Sequence, residues 1–203
     1  MTQIDYYLFP LSPFAYLAGI RLEEVATKHG VSINYKPFGL MKVFEEVGTP
    51  PPAERHPNKA KYRAQDIVRV AKFNDMPVNL KPAHWPTNPA PACYAIIAAQ
   101  NSGGGDSGGG DLGGLVHALL RACWVEEKDI ANDDVIKACL TANGFDAGLA
   151  DSGLLAGAEI FGRNTEEAVK AGVIGTPTYV ANEQVFWGQD RLPHLDAYLS
   201  EIA

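Results

Sequence analysis

Cysteine is scarce in this chain, and the spacing of the few cysteines excludes one class of function. Only Cys93, Cys123 and Cys139 occur among the 203 residues, and no two of them form a Cys-x-x-Cys pair. An odd number of widely separated thiols is typical of buried cysteines in a reducing compartment rather than of a disulfide framework. We therefore expect a cytoplasmic protein whose fold needs no disulfide.

The sequence also lacks an excess of basic residues and a long apolar run. Its formal net charge is −7 at pH 7, which argues against binding to nucleic acid or to an anionic membrane. No segment approaches the roughly 20 apolar residues that a transmembrane helix requires, and no basic region precedes an apolar one at the N-terminus. We expect neither a nucleic acid nor a membrane as a partner.

Metal-ligand spacing and hydrolase motifs are absent as well. The five histidines follow no ligand interval and none pairs with a cysteine, so we expect no metal. No Gly-x-Ser-x-Gly elbow is present, which disfavours a serine hydrolase. What remains is a chain with 46% apolar residues, long enough to bury a sizeable core.

The first forty residues predict a β-α-β unit. Residues 3–9, QIDYYLF, are rich in β-prone side chains and form a first strand. Ser12 can cap a helix that has Pro13 at its first position and runs to Gly30. Apolar and polar residues then alternate over 31–38, which predicts a second strand.

The middle of the chain has helical periodicity and no convincing strand. The glycine-rich segment NSGGGDSGGGDLGG, 101–114, lacks the Lys-Ser/Thr ending of a phosphate loop and is interpreted as a flexible loop between two helices. The helices are predicted over 58–75, 90–101, 112–127, 133–143, 146–150 and 151–170.

The C-terminal part returns to strands. Residues 178–180 and 184–187 flank an Asn-Glu turn and predict a hairpin, after which Asp190 caps a last helix. Strands from both ends of the chain can complete one small sheet. We therefore predict a discontinuous domain, 1–40 and 171–203, into which an all-helical domain, 41–170, is inserted.

Two short segments are candidates for chemistry. Ser12 at a helix N-cap stands among unsatisfied backbone N–H groups, and its hydroxyl can donate a hydrogen bond to the thiolate of another molecule. The plainer interpretation is an ordinary helix start. Pro177, in Gly-Thr-Pro-Thr at 175–178, begins a strand; it is either an ordinary trans proline or a cis proline that leaves the preceding backbone free to pair with a ligand.

Three motifs together identify a family resemblance. Ser-Pro-Phe-Ala-Tyr-Leu at 12–17, Gly-Thr-Pro-Thr at 175–178 and Trp-Gly-Gln-Asp-Arg-Leu at 187–192 make the chain resemble the 2-hydroxychromene-2-carboxylate isomerase family. That family is related to the kappa-class glutathione transferases, and the resemblance covers essentially the whole chain. It implies an α/β, thioredoxin-like fold (β-α-β … β-β-α) of the DsbA type with a large all-helical insertion, and a homodimer is in keeping with it.

The resemblance also implies glutathione as a cofactor. Ser12 matches the serine that hydrogen-bonds the glutathione sulfur and holds it as a thiolate, which makes Ser12 the catalytic residue. Thr176 would pair its backbone with the cysteinyl unit like an added strand. The sequence departs from the family at Thr49, where Asn is common, and at Phe9, where many members carry Asp. The implied glutathione-binding residues are Ser12, Pro13, Phe14, Thr49, Thr176, Gln189 and Asp190, of which the last two would hold the γ-glutamyl end.

The implied activity is a glutathione-dependent cis-trans isomerisation. It would interconvert 2-hydroxychromene-2-carboxylate and trans-o-hydroxybenzylidenepyruvate, or a related aromatic catabolite, so the partner would be a small aromatic carboxylate. Phe44, His84 and Trp85 resemble the family's substrate contacts, although the two aromatic residues fit a plain core role equally well.

Other functions stay open at this point. One is a kappa-like glutathione transferase, in which the sulfur remains on the product, and another is a non-catalytic thioredoxin-fold module that binds a peptide beside Pro177. A disulfide oxidoreductase is disfavoured because Ser12 and Ala15 replace both sulfurs of the Cys-x-x-Cys motif.

Overall fold

Strands from the two ends of the chain form one mixed sheet in the computed structural model, which describes residues 2–103 and 109–202. The strands are β1 (Gln3–Leu8), β2 (Ser32–Pro37), β3 (Thr178–Ala181) and β4 (Gln184–Trp187), in the order β2-β1-β3-β4. β2 is parallel to β1, whereas β3 is antiparallel to both β1 and β4. The predicted β-α-β and β-β-α units are therefore confirmed as parts of a single sheet.

The segment between β2 and β3 is helical, with no strand among its described residues. Residues 104–108 of the predicted glycine-rich loop lie outside the described residues. The six predicted middle helices are present to within a few residues at their ends, and the helix Leu40–Glu46 was not predicted. In chain order the helices are α1 (Pro13–Leu17), α2 (Arg21–His29), α3 (Leu40–Glu46), α4 (Pro57–Phe73), α5 (Ala90–Asn101), α6 (Leu112–Trp124), α7 (Asp133–Ala142), α8 (Leu149–Ser152), α9 (Leu154–Lys170) and α10 (Leu192–Ile202).

The prediction of one continuous helix from Ser12 to Gly30 is wrong. The chain forms two helices, α1 and α2, because Gly19 adopts a left-handed conformation with φ of +59°. The carbonyls that α1 leaves free are bonded by side chains: Arg21 donates to the oxygens of Leu17 and Ala18, and Asn74 donates to that of Leu17. The apolar spacing continues across the break, so periodicity alone concealed it.

The C-terminal hairpin is confirmed, but the start of the last helix is not. Asn182 and Glu183 both have positive φ, of 45° and 67°, as the tight turn of a two-residue hairpin requires. Asp190 does not cap α10. It lies inside a 3-10 turn, Gln189–Arg191, which follows Gly188 with φ of 116° and leads directly into α10.

The two faces of the sheet bury different groups. Tyr6, Tyr35 and Tyr179 lie side by side on one face, with ring centroids 5.8 Å and 5.2 Å apart, within the main core. On the other face Tyr7 meets Phe38 edge-on, together with residues of α3 and α9. The main core combines strand residues with side chains of α2, α5, α6, α7 and α10. The division into a 1–40 and 171–203 domain and a 41–170 domain stays a prediction.

One polar cluster links the sheet to the middle helices. Glu23 on α2 accepts a hydrogen bond from the Tyr35 hydroxyl at 2.8 Å, and the same carboxylate oxygen lies 3.2 Å from His117 Nε2 on α6. Gly113 lets α6 come this close, since a Cβ there would lie 3.0 Å from the Tyr35 hydroxyl. Burial alone would raise the pKa of Glu23, but the bonds from His117 and Tyr35 outweigh burial and leave the pKa lowered.

Replacing Glu23 tests this link. We expect Glu23→Gln to lower the free energy of unfolding at neutral pH by about 1–3 kcal/mol, since it removes hydrogen bonds to a charged acceptor. The folded pKa lies below the ordinary value of 4.5, so the wild type loses this stabilisation as the pH falls through the folded pKa. Urea unfolding between pH 3 and pH 7 should therefore show a shallower pH dependence below about 4.5 in the variant. Glu24→Gln, an exposed neighbour, is the control, and equal effects of the two variants would contradict the assignment.

Candidate functional site

Ser12 lies at the turn between β1 and α1. Its backbone N–H donates to the Phe9 carbonyl at 2.9 Å, and its extended conformation (φ −96°, ψ 119°) makes it the N-cap of α1. The Ser12 hydroxyl oxygen accepts the Ala15 N–H at 3.4 Å, as an N-cap side chain does. The residue is only 4% exposed, so its hydroxyl lies in a largely desolvated setting.

Two tryptophans hold the turn that leads to Ser12. The Trp124 indole N–H donates to the Pro10 carbonyl at 3.1 Å, and the Trp85 indole N–H donates to the Leu11 carbonyl at 3.3 Å. The two rings lie 5.9 Å apart. Trp85, predicted as a substrate contact, thus adjoins the turn, while Trp124 was predicted only as part of a helix. Neither hydrogen bond follows from helical periodicity.

Thr176 meets Ser12 across the site. The Ser12 hydroxyl donates to the Thr176 carbonyl at 3.4 Å, although the two residues are 164 positions apart. The Thr176 hydroxyl donates to the Tyr7 carbonyl on β1, also at 3.4 Å. The Thr176–Pro177 bond is cis, which decides between the two interpretations of Pro177. The predicted proximity of this motif to the Ser12 turn is thus present in the structure.

Gly175 in the same motif has a packing role. A Cβ at this position would collide with the indole of Trp187, so the glycine lets the β4 tryptophan cover the chain just before Thr176. Trp187 remains 51% exposed, so it is a surface side chain.

Gln189 and Asp190 follow β4 and differ in their surroundings. Gly188 N–H donates to the Pro177 carbonyl at 2.9 Å, which fixes this segment beside the proline. Gln189 is buried, and its side-chain oxygen accepts from Arg21 at 2.8 Å. Asp190 is exposed, with a 3.4 Å contact to Arg191. Arg21, which sequence reasoning missed, therefore connects the end of α1 to the segment that contains both predicted residues.

An arginine side chain lies over the ring of Phe14, and another lies over the ring of Phe44. The Arg63 guanidinium lies 4.8 Å from the centre of the Phe14 ring, and that of Arg55 lies 5.3 Å from the centre of the Phe44 ring. Thr49 adjoins Phe44, because its N–H donates to the Phe44 carbonyl at 2.8 Å. Phe44 is 8% exposed and packs with the α3–α9 core, which favours the core interpretation of this side chain.

The predicted site residues do not all converge. His84 is exposed, and no hydrogen bond in the described ranges joins it, Phe44 or Thr49 to the Ser12–Thr176 pair. The site that the structure does bring together comprises the Ser12 turn, the Thr176–Pro177 bond, Trp85 and the segment from Gly188 to Asp190.

The three cysteines are free. Burial raises the pKa of Cys93 and Cys139, and it raises that of Cys123 to about 12, so all three remain protonated thiols at neutral pH. Cys139 is half-buried rather than buried as predicted. Among residues 2–103 and 109–202, no three His, Cys, Asp or Glu side chains are grouped as metal ligands. Within the same ranges no helix is long and apolar enough to cross a membrane.

Sequence comparisons agree with this geometry. A 2-hydroxychromene-2-carboxylate isomerase from Sphingobium xenophagum is 27% identical over 203 residues, which is 97% of each chain. Glutathione S-transferase kappa 1 from Caenorhabditis elegans is 36% identical over 83 residues, which is 40% of this chain and 36% of that protein.

Solved structures show the same fold. That of a 2-hydroxychromene-2-carboxylate isomerase matches with a TM-score of 0.78 and 24% identity, over 98% of this chain and 95% of that chain. The cytosolic disulfide reductase DsbM from Pseudomonas aeruginosa with GSH matches with a TM-score of 0.67 and 18% identity, over 98% and 96%. The DSBA-like thioredoxin domain family matches residues 3–200. The chain therefore belongs to the DSBA-like thioredoxin domain family and has a thioredoxin-like fold with a helical insertion.

Proposed function

We propose that this protein is a glutathione-dependent isomerase of the 2-hydroxychromene-2-carboxylate type. The observation that carries the proposal is the hydrogen bond from Ser12 to the Thr176 carbonyl, because it joins a hydroxyl donor and a backbone acceptor at one place. The full-length similarity to an isomerase of that name and the partial similarity to a glutathione transferase support the activity and the cofactor.

The residues around Ser12 fit the sulfur end of glutathione. The Ser12 hydroxyl has a single proton, and in the free protein that proton goes to the Thr176 carbonyl over a long 3.4 Å contact. A thiolate beside Ser12 is a stronger, charged acceptor and takes the proton instead. The low exposure of Ser12 strengthens that hydrogen bond, since little water competes for it.

Thr176 takes a second role once Ser12 turns away. Its carbonyl then accepts the N–H of the cysteinyl unit, in the manner of a strand added to a sheet edge. Asp190, which is exposed and has only a 3.4 Å contact with Arg191, is available for the ammonium group of the γ-glutamyl end. Gln189 already accepts from Arg21, so its part is to orient this segment.

When bound, glutathione supplies a thiolate that adds to the conjugated side chain of the substrate and later leaves it, so that the intervening bond rotates between the two events. Ser12 holds the sulfur ionised before the addition and accommodates it again after the elimination. Trp85, 41% exposed beside the Ser12 turn, provides an aromatic face for the ring. The cytoplasmic location and the homodimer expected from the sequence stay predictions.

Removing the Ser12 hydroxyl tests the mechanism. We expect Ser12→Ala to lower kcat/KM for the chromene by about 100-fold or more, because a preorganised donor to a developing or bound anion is lost. In the wild type the thiol pKa of bound glutathione should fall below its ordinary value of about 8.5, whereas in the variant it should not. The thiolate absorbance of bound glutathione, followed against pH, measures this difference.

The control for this experiment is Ser152→Ala. Ser152 on α8 also donates its hydroxyl to a backbone carbonyl, that of Gly148 at 2.9 Å, but at an exposed position. Its loss should leave turnover and the thiol pKa unchanged. Equal turnover by Ser12→Ala and the wild type, or turnover by the wild type without glutathione, would refute the mechanism.

The fate of the sulfur separates the isomerase from a kappa-like transferase, the alternative that the Caenorhabditis elegans similarity favours. We expect the product to have the mass of the substrate and glutathione to be recovered in full, as measured by mass spectrometry. A product that carries the added mass of glutathione would assign the protein to the transferases. No calorimetric binding of glutathione at millimolar concentration would favour a non-catalytic module over both.

A further inference from the structure

Two arginines that lie outside the three sequence motifs stand over phenylalanine rings, and one of these rings adjoins the proposed site. Arg63 on α4 is half-buried, with its guanidinium 4.8 Å from the centre of the Phe14 ring. Arg55, in the turn before α4, is also half-buried and lies 5.3 Å from the centre of the Phe44 ring. Phe14 is two residues after Ser12, so the Arg63 guanidinium lies beside the N-terminal end of α1, which Ser12 caps.

Neither arginine has a direct ion-pair partner among the described residues. In the described part of the chain no carboxylate lies within ion-pair distance of Arg63 or Arg55, whereas Arg121 and Arg191 each have an acidic neighbour. The one hydrogen bond of Arg55 goes to the Pro50 carbonyl at 3.4 Å. Burial and, to a smaller extent, the nearby charge of Arg55 lower the pKa of Arg63 to about 10, against the opposing charge of Asp66. Arg63 therefore stays protonated at neutral pH although it is partly desolvated.

A partly buried cation without an ion-pair partner is unfavourable unless an anion binds beside it. Stacking on an aromatic face offsets part of that penalty and also fixes the guanidinium plane. A fixed guanidinium presents paired N–H donors that match the two oxygens of a carboxylate. The arrangement is suited to a ligand that brings its own carboxylate rather than to stabilising the fold.

We propose that Arg63, assisted by Arg55, is the residue that binds a carboxylate beside the Ser12–Thr176 site. The carboxylate belongs either to the aromatic substrate or to the glycine end of glutathione, and both offer the same planar anion. This assignment rests on the proposed function for the identity of the ligand, but the anion site itself rests on the two arginine–phenylalanine pairs.

The test compares Arg63→Gln with Arg69→Gln. Arg69 is a matched control because it lies on the same helix and also stands over a ring, that of Tyr62 at 5.9 Å, yet both residues are exposed. Calorimetry measures the binding of three probes: glutathione, glutathione esterified at its glycine carboxylate, and cinnamate, an aromatic carboxylate without a thiol. Steady-state kinetics with the chromene gives kcat and KM separately.

We expect Arg63→Gln to lower the affinity for one of the carboxylate ligands by about 10- to 100-fold, the usual effect of losing a charged hydrogen-bond partner. If the variant binds glutathione more weakly than the wild type does, and both bind the glutathione ester equally well, the carboxylate is that of glutathione. If the variant binds cinnamate more weakly, and its KM for the chromene rises while kcat changes little, the carboxylate is that of the substrate. Arg63→Lys keeps the charge without the planar donor pair and should lie between wild type and Arg63→Gln.

Other outcomes separate this inference from the proposed function. If the wild type binds no glutathione but Arg63→Gln still weakens cinnamate, the anion site stands and the isomerase proposal fails. If Arg63→Gln binds all three probes within twofold of Arg69→Gln, the anion site is overturned while the isomerase proposal stands. A wild type that binds none of the probes overturns both.

Discussion

The antiparallel pairing of β1 with β3 is the constraint on which the rest of the structure depends. β1 runs towards the Ser12 turn, and β3 begins just after Thr176, with Tyr7 opposite Thr178 in the register. An antiparallel pair places the end of one strand beside the start of the other. Two segments from opposite ends of the chain thus meet at one edge of the sheet, and the hydroxyl of Ser12 can reach the carbonyl of Thr176.

Local sequence was sufficient to predict most of the elements but not the irregular joints between them. The alternation in β2, the two-residue turn of the hairpin and the cap at Ser12 are decided by neighbouring residues. The break at Gly19 is different, because the apolar spacing of a helix runs through it. The carbonyls at the C-terminal end of α1 are bonded by the side chains of Arg21 and Asn74, and helical periodicity does not report those bonds. Asp190 was misplaced for a similar reason, since the 3-10 turn depends on the positive φ of Gly188.

The motifs that carry the family resemblance place Ser12 and Thr176 in contact with each other, whereas their roles in binding glutathione stay predictions. Two of the predicted substrate contacts lie apart from that pair, since Phe44 packs in the α3–α9 core and His84 is at the surface. Trp124, Arg21, Arg55 and Arg63 were missed, and no local pattern distinguishes them from ordinary helix residues. Trp124, Arg21 and Arg63 contact Pro10, Gln189 and Phe14, which are distant in the chain, and periodicity cannot report such contacts. Arg55 and Arg63 nevertheless place positive charge near Ser12 in an otherwise acidic protein.

The positions of the tryptophans have an optical consequence. The chain has three tryptophans: two donate to the carbonyls just before Ser12, and the third covers the glycine just before Thr176. All of the protein's indole fluorescence therefore originates around the Ser12–Thr176 site. Any molecule that enters it, whether or not it is turned over, changes the polarity around at least one emitting ring, so the protein contains its own spectroscopic reporter of occupancy.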